Sequence, residues 1–392
     1  MSAATLMPSS AVGAVTPIAG SLDVAHATPA LAEVDRLMTV CNSCRYCEGL
    51  CAVFPAMEMR RSFSDGDLNY IANLCHACGA CYVDCQFSPP HAFDVNVPKA
   101  MAVVRNDSYA RYAWPRPLAP LFARHGVLLA LSLAVAIAGF LLAMVAFRDP
   151  AAVWASGVER GAFFRLMPHS VMVALFGAAF VYMIVAISMS VRMAWRDAGP
   201  INLSWADLWR ATRDAASLRY LDGGGAGCVN KDERPRDPRR HAHHATFYGF
   251  LLCFAATSVG TLYHYAGRES PYPWWDLPVV LGTLGGIGLI VGPLGLLFAK
   301  SSRDPALMDT SRSGMEKAFI IMLLATAVSG FAVLCLRATP MLGVTLALHL
   351  GIVMALFVTM PYGKFVHGFH RYAALVRYVA ELRDLQDHQK VA

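Results

Sequence analysis

The sequence predicts an all-α protein in two parts, a small cysteine-rich helical domain followed by a six-helix transmembrane bundle. Eight cysteines lie between residues 41 and 85, and six apolar stretches follow them. In addition, 56% of the 392 residues are hydrophobic and only 15% are charged, whereas soluble proteins contain about 25% charged residues. Much of the chain is therefore expected to face lipid.

Residues 1–36 are rich in Ala, Ser, Pro and Thr, and their first basic residue is Arg36. We expect a disordered N-terminal segment over 1–36, and the cysteine-rich domain over 37–105. A signal peptide is not expected, because no charged region precedes an apolar run.

The cysteines repeat one spacing, C-x2-C-x2-C-x3-C, which binds [4Fe–4S] clusters in ferredoxins. A structural zinc site would instead use two C-x2-C pairs separated by a longer loop, and disulfides would require an oxidising compartment. In two-cluster ferredoxins the fourth cysteine of each run binds the other cluster. The predicted ligands are therefore Cys41, Cys44, Cys47 and Cys85 for the first cluster, and Cys75, Cys78, Cys81 and Cys51 for the second.

Ala52 and Gln86 stand where small βαβ-type ferredoxins have a proline after the fourth cysteine. Between the runs, Ser64 followed by two acidic residues indicates a helix start. The domain is therefore predicted to be an α-helical ferredoxin-like module. The remaining cysteines, Cys228, Cys253 and Cys335, show no pattern and are expected to be small buried residues.

The transmembrane domain is predicted over 106–370, with a C-terminal tail over 371–392. Its six spans are about 126–147, 168–193, 244–266, 278–299, 314–336 and 342–360, each near the 20 residues that a bilayer requires. Lys and Arg are concentrated in the connections 194–243 and 300–317. Because basic loops stay cytoplasmic, both termini and the cysteine domain are predicted to be cytoplasmic. The net charge of +6 then reflects topology, and no nucleic acid partner is expected.

Histidines near the spans are candidate haem ligands, because ionisable residues at membrane depth are usually functional. His349 and His367 lie 18 residues apart, which corresponds to one helical face and about 27 Å of rise. Pro361 lies between them and could kink this helix. In the third span, His264 lies near one end, and His243 or His244 near the other.

Antiparallel packing of these helices would pair His264 with His349 at an outer b-type haem. It would pair His367 with His243 or His244 at an inner one, and the sequence leaves that choice open. His169 is a spare outer ligand or part of a quinone pocket. The alternative for all of these histidines is an interfacial or helix-capping role.

The chain resembles the tricarballylate-utilisation or citrate-utilisation protein B family of bacterial membrane iron–sulfur proteins. The resemblance rests on CNSCRYCEG at 41–49, NLCHACG at 73–79, PPH at 89–91, HHATFYGF at 243–250 and Tyr263-His264. It implies that two [4Fe–4S] clusters and haem connect the FADH2 of a soluble tricarballylate dehydrogenase, whose product is cis-aconitate, to membrane quinone. It also implies a location in the bacterial inner membrane. The pair His349 and His367 is similar to that of the cytochrome b subunit of respiratory nitrate reductases.

The sequence contains no GxGxxG dinucleotide fingerprint after a strand and no pairing of a nucleophile with a base. We therefore expect an electron-transfer component, with the substrate dehydrogenase on another polypeptide. One alternative is a redox subunit for a different flavin dehydrogenase, and another is a tricarboxylate transporter with an iron–sulfur sensing domain. The glycines of the fourth span, at 282, 285, 286, 288, 292 and 295, are explained more simply by close helix packing than by transport-related flexibility.

Overall fold

The computed structural model describes residues 25–157, 159–225, 227–232, 235–236 and 238–391. In these ranges the protein is almost entirely helical, with one two-residue antiparallel strand pair, β1 (Cys228–Val229) and β2 (Pro235–Arg236). Residues 1–24 of the predicted disordered segment, and positions 226, 233–234 and 237 of the predicted basic loop, lie outside the described residues.

Five helices form the N-terminal domain: α1 (Pro29–Cys44), α2 (Val53–Glu58), α3 (Asp65–Leu74), α4 (Ala80–Val83) and α5 (Val97–Arg111). The predicted disorder over residues 1–36 is wrong for its last part, because α1 begins within it. The side chain of Thr28 accepts a hydrogen bond from the amide of Leu31 at 3.3 Å and caps this helix. Leu31 and Val34 are buried in the domain core, which stabilises the helix start.

The predicted helix start at Ser64 is confirmed. The Ser64 hydroxyl accepts a hydrogen bond from the Asp67 amide at 3.2 Å, and the Asp67 carboxylate accepts one from the Ser64 amide at 3.2 Å. This reciprocal pair is a capping box, which satisfies amide groups that a helix N-terminus leaves without partners. α3 therefore begins between the two cysteine runs, as predicted.

Six helices in the described part of the chain are long and apolar enough to cross a membrane. They are α6 (His125–Phe147), α9 (His169–Asp197), α11 (Pro238–Tyr265), α12 (Leu277–Ser301), α13 (Ser313–Leu336) and α14 (Leu342–Thr359). Short helices α7 (Pro150–Val153), α8 (Ala162–Leu166) and α10 (Trp205–Ala216), and 3-10 turns at Arg116–Phe122, Gly223–Gly225 and Pro305–Leu307, lie in the connections. An apolar helix lies at each of the six predicted positions, and α9 and α11 extend further at the end that faces the N-terminal domain.

The sixth span does not continue through His367 as one helix. A 3-10 turn over Met360–Tyr362 follows α14, and α15 (Val366–Val391) begins only after it. Pro361 has no amide hydrogen and cannot continue the helical ladder. The prediction that His349 and His367 share one face of a continuous helix is therefore wrong.

The predicted C-terminal tail is part of α15 rather than a separate segment. Leu375, Val376 and Val379 are buried in the core of the N-terminal domain. The carboxylate of Glu381 forms an ion pair with Arg60 at 2.6 Å. The predicted boundary after residue 370 is therefore wrong, because the apolar face of this helix completes the core of the cysteine-rich domain.

Close packing explains the glycines of α12, as predicted. A Cβ added to Gly249 of α11 would lie 2.9 Å from the carbonyl oxygen of Gly285, and one added to Gly288 would lie 2.8 Å from the carbonyl oxygen of Ala245. Side chains at these positions would separate the helices. The glycines at this contact therefore allow the backbones of α11 and α12 to approach closely.

The N-terminal domain lies at the end of the bundle where α9 ends and α11 begins. Gly66 of α3 packs directly against the backbone carbonyl of Asp197, the last residue of α9. Arg239, in the first turn of α11, donates a hydrogen bond to the carbonyl of His76 at 3.1 Å. The described residues of the basic connections 194–243 and 300–317 lie at this same end of the bundle.

Candidate functional site

The first thiol group is assembled from the end of α1 and the residue that follows α4. Cys41 and Cys44 lie in the last turns of α1. Arg45 then adopts a left-handed conformation with φ of 55°, and its amide donates to the Cys41 carbonyl at 2.8 Å. This turn redirects the chain so that Cys47 returns towards the helix end. Cys85, a residue of the second run, completes the group.

The four cysteines of the first thiol group line the same cavity. A cavity of about 290 Å³ is lined by Cys41, Cys44, Cys47, Cys81 and Cys85 together with apolar side chains. Burial, followed by the neighbouring sulfurs of Cys47, Cys85 and Cys44, raises the pKa of Cys41 to about 12. Thiolates held together in this way repel one another, so the donor set suits a cationic iron centre.

The second thiol group combines Cys51 with the first three cysteines of the second run. Burial, and then proximity to Cys75 and Cys78, raises the pKa of Cys51. Burial, and then Cys78, Cys51 and Cys75, raises the pKa of Cys81. In the structure, the fourth cysteine of each run therefore lies with the first three cysteines of the other run, as the two-cluster ferredoxin pattern predicts. Ligation of a cluster by these residues stays a prediction.

In the residues that the structure describes, no three His, Cys, Asp or Glu side chains converge closely enough to hold one metal ion. A [4Fe–4S] cluster takes four cysteine thiolates, and each thiol group supplies four. The cavity of about 290 Å³ beside the first thiol group has room for more than a single ion.

The loop of the second cysteine run contains two residues in the left-handed backbone conformation, which favours glycine. Ala77 and Gly79 have φ values of 49° and 92°. Gly79 caps α4, and a Cβ there would lie 2.9 Å from Cδ1 of Leu307. The amide of Val229 in β1 donates to the Cys78 carbonyl at 2.8 Å. The loop is therefore held by segments from the transmembrane half of the chain.

The inner histidine pair lies next to this loop. The rings of His243 and His367 are 6.1 Å apart between centroids. Nδ1 of His367 lies 2.5 Å from the carbonyl oxygen of Lys364, to which it donates, so Nε2 remains available as a ligand. His244 instead contacts the ring of Tyr248 at 5.9 Å. Of the two residues that the sequence left open, His243 is the one that faces His367.

The outer histidines are arranged differently from the prediction. The rings of His169 and His264 stack with centroids 3.8 Å apart. Nε2 of His169 and Nδ1 of His264 are buried without a hydrogen-bond partner in the described part of the protein. Nδ1 of His349 lies 2.9 Å from the hydroxyl oxygen of Ser329. The expected pair of His264 with His349 is therefore replaced by a pair of His264 with His169, because His169 begins the helix that faces the end of α11.

Buried imidazole nitrogens without partners are suitable ligands for an iron porphyrin. Haem ligation by any of these histidines stays a prediction.

Sequence reasoning missed several residues around the second thiol group. Cys228, treated as unpatterned, lies 3.7 Å from Nη1 of Arg239. His76 lies inside the CHAC motif and is buried, and burial followed by the charge of Arg371 lowers its pKa well below the usual value. Of the four arginines around this loop, Arg239 and Arg303 were assigned only to membrane topology, and Arg105 and Arg371 had no assigned role. Their separation along the chain gave no local signal.

Known proteins support the division into two parts. The profile of the citrate utilization protein B family matches residues 123–387, and the profile of that family's Fer4-like domain matches residues 34–111. The citrate utilization protein B of Escherichia coli is 47% identical over 359 residues, which cover 90% of this chain and 93% of that protein. The chain belongs to the citrate utilization protein B family. No solved structure shows significant similarity to this family member.

The family assignment confirms the resemblance inferred from the cysteine and histidine motifs. The Fer4-like match begins within α1 and ends at Arg111, the last residue of α5. This agreement supports the extension of the N-terminal domain ahead of residue 37. The family member thus combines a ferredoxin-like domain with six apolar helices.

Proposed function

We propose that this family member is a membrane electron-transfer protein. It reoxidises the FADH2 of a soluble tricarballylate dehydrogenase and delivers the electrons to the quinone pool. One observation carries the proposal: two groups of four thiols lie at the end of an apolar helix bundle, and the second group lies beside the half-buried pair His243 and His367. This arrangement is suited to a chain of one-electron carriers leading from an aqueous domain into the membrane.

The thiol groups would hold two [4Fe–4S] clusters, and the histidines would hold one or two b-type haems in a six-helix bundle that resembles a cytochrome b subunit. When bound, these groups supply one-electron chemistry at fixed positions. The chain itself fixes their ligands. The Lys364 carbonyl orients His367, and the Ser329 hydroxyl orients His349, in the way that second hydrogen bonds orient metal-bound imidazoles.

The proposed location is the bacterial inner membrane, with the ferredoxin-like domain in the cytoplasm. The described residues of the basic connections 194–243 and 300–317 lie at the end of the bundle that carries this domain, and basic loops favour the cytoplasmic side. A soluble flavoprotein could then reach the domain from the cytoplasm, while quinone would approach from the bilayer.

The substrate chemistry would belong to the partner. The sequence of this chain offers no nucleotide-binding fingerprint, and the name of the Escherichia coli relative refers to citrate utilization. Tricarballylate and its oxidised product cis-aconitate are tricarboxylates of this chemical class. A different flavin dehydrogenase as the donor is the alternative within the same redox function.

Optical and EPR spectra of the detergent-purified protein test the cofactors. We expect [4Fe–4S] signals and b-type haem bands after reduction with dithionite. Replacing Cys44 with Ala should remove about half of the bound iron, because one of two clusters loses a ligand. Cys335→Ala is the matched control, since Cys335 is exposed and outside both thiol groups. Protein without cluster signals would refute the proposal.

The histidines are tested in the same way. His349→Ala and His367→Ala should each lower the haem content per chain, whereas His388→Ala, in the exposed end of α15, should leave it unchanged. Unchanged haem content in both site variants would refute the proposed ligands. Quinone reduction measured with candidate flavoproteins and their substrates, added one at a time, then identifies the donor.

A tricarboxylate transporter is the competing function from another class. Transporter sites are typically formed by discontinuous helices near the middle of the bilayer. Here the break after Thr359 lies at the end of a span, and α6, α9, α11, α12 and α13 are continuous. Uptake of labelled citrate or tricarballylate by vesicles containing only this protein would favour the transporter over electron transfer.

A further inference from the structure

Two arginines from distant helices bind the same carbonyl in the second cysteine run. Nη1 of Arg105 in α5 donates to the carbonyl oxygen of Cys75 at 2.7 Å. Nη2 of Arg371 in α15 donates to the same oxygen at 2.8 Å. Its Nε donates to the carbonyl oxygen of Asn73 at 3.3 Å. One cysteine carbonyl is therefore placed between two guanidinium groups.

Two further arginines bind the next residues of this loop. Arg239 in α11 donates to the carbonyls of His76 and Ala77 at 3.1 and 3.3 Å. Arg303, in the connection between α12 and α13, donates to the carbonyl of Ala77. The four arginines come from four separate elements, so their convergence is a property of the tertiary structure.

Among the described residues, none of these four arginines forms an ion pair with a carboxylate. The nearby carboxylate of Glu316 pairs with Lys300 and Lys364 instead. Guanidinium groups are not deprotonated in proteins at neutral pH, so all four side chains carry a positive charge.

The first thiol group has a different electrostatic environment. Asp84 lines its cavity, and no arginine or lysine is among the residues that line it. Among the described hydrogen bonds to backbone carbonyls of residues 41–51, one comes from an arginine side chain, from Nε of Arg45 to Asn42 at 3.1 Å, whereas four arginines bind the Cys75 loop. The two halves of the cysteine repeat thus have the same ligand pattern and different surrounding charge.

We propose that Arg105, Arg239, Arg303 and Arg371 are positioning residues that raise the reduction potential of the second cluster above that of the first. Reduction adds one negative charge, and nearby fixed positive charges stabilise the reduced form. Electrons would then accumulate at the cluster that lies beside His243 and His367. The inference rests on the proposed binding of two clusters and is independent of the donor.

The test is an EPR-monitored redox titration of the full-length protein in detergent. Arg371→Gln should lower the potential of the second cluster by about 59 mV, which is a tenfold change in the ratio of reduced to oxidised cluster for a one-electron couple. Arg371→Lys should largely restore it, because the charge remains although the forked hydrogen bonds are lost. Cys44→Ala identifies which signal belongs to the second cluster.

Arg165→Gln is the matched control, because Arg165 is exposed and pairs with Glu159 in the connection between α6 and α9. Arg303→Gln is a second test should Arg371→Gln lose its cluster. The inference would be overturned if the potential of the second cluster were the same in the wild type and in every charge-removing variant. It would also be overturned if Arg371→Lys and Arg371→Gln shifted this potential equally. Loss of both signals from the wild type would instead reject the proposed function.

Discussion

Gly79 provides the sharpest test of the reasoning about the second cysteine run. This residue lies between Cys78 and Cys81 and has φ of 92°. A Cβ at this position would lie 2.9 Å from Cδ1 of Leu307 and 3.2 Å from Cβ of Val229. Gly79→Ala therefore adds both backbone strain and a steric conflict.

The expected cost has two parts. A left-handed conformation costs an L-residue about 1–2 kcal/mol. The steric part is about 1 kcal/mol, at the low end of the range for overpacking, because Cδ1 of Leu307 is the far end of a flexible side chain. We therefore expect a loss of roughly 2–3 kcal/mol in the free energy of unfolding, localised at the loop that carries the second thiol group.

Thermal unfolding of the detergent-purified protein, with the iron content per chain, measures this effect. Gly49→Ala is the matched control in the first cysteine run, because a Cβ at Gly49 would have nothing within 4 Å. In a double-mutant cycle, Leu307→Ala should relieve part of the cost of Gly79→Ala, since the two side chains share one space. The reasoning is refuted if Gly79→Ala is as stable and as iron-loaded as Gly49→Ala.

Three further predictions follow from other contacts. Gly249→Leu should disrupt the contact of α11 with α12 and lower the unfolding temperature, because a Cβ at Gly249 would lie against the backbone of α12. Gly177→Leu is the control and should not lower it, because a Cβ at Gly177 would have nothing within 4 Å. Equal effects of the two variants would contradict the packing argument. Glu316→Gln should cost about 3 kcal/mol in thermal unfolding, since it leaves Lys300 and Lys364 without their partner, and the double variant with Lys364→Met should recover part of the loss. Hydrogen bonds from Arg60 and Ser64 outweigh burial and hold the pKa of Asp67 below 3.8, so Asp67→Asn should destabilise by about 1–3 kcal/mol at pH 7. A carboxyl group with a lowered pKa in the folded protein stabilises it fully above the unfolded pKa, and this contribution is lost as pH falls towards the folded pKa. The stability difference between the wild type and Asp67→Asn should therefore shrink as pH falls below 3.8. A constant difference down to pH 3 would contradict the lowered pKa of Asp67.

Local patterns were sufficient wherever the physical cause is local. The spacing of the eight cysteines, the capping box at Ser64 and the apolar spans each depend on residues close in sequence. The break after Thr359 was only partly foreseen. Pro361 was recognised as a possible kink, whereas the chain leaves the helix altogether before Val366.

Long-range contacts explain the errors. His264 was paired with His349 on the assumption that the third and sixth spans pack together, but the structure places His169 against His264. Residues 371–392 were predicted to be a tail that follows the transmembrane domain. Leu375 and Val379 in fact complete the core of the N-terminal domain, about 300 residues away along the chain.

The sequence by itself determined the repeated cysteine spacing, the six apolar helices and the family of this protein, because these depend on residue type and spacing. Only the tertiary structure decided which histidines face one another and which charges surround each thiol group. Arg105, Arg239, Arg303 and Arg371 are scattered over four elements, and no periodicity relates them. Folding brings their side chains to one loop, where buried charges interact much more strongly than they do in water.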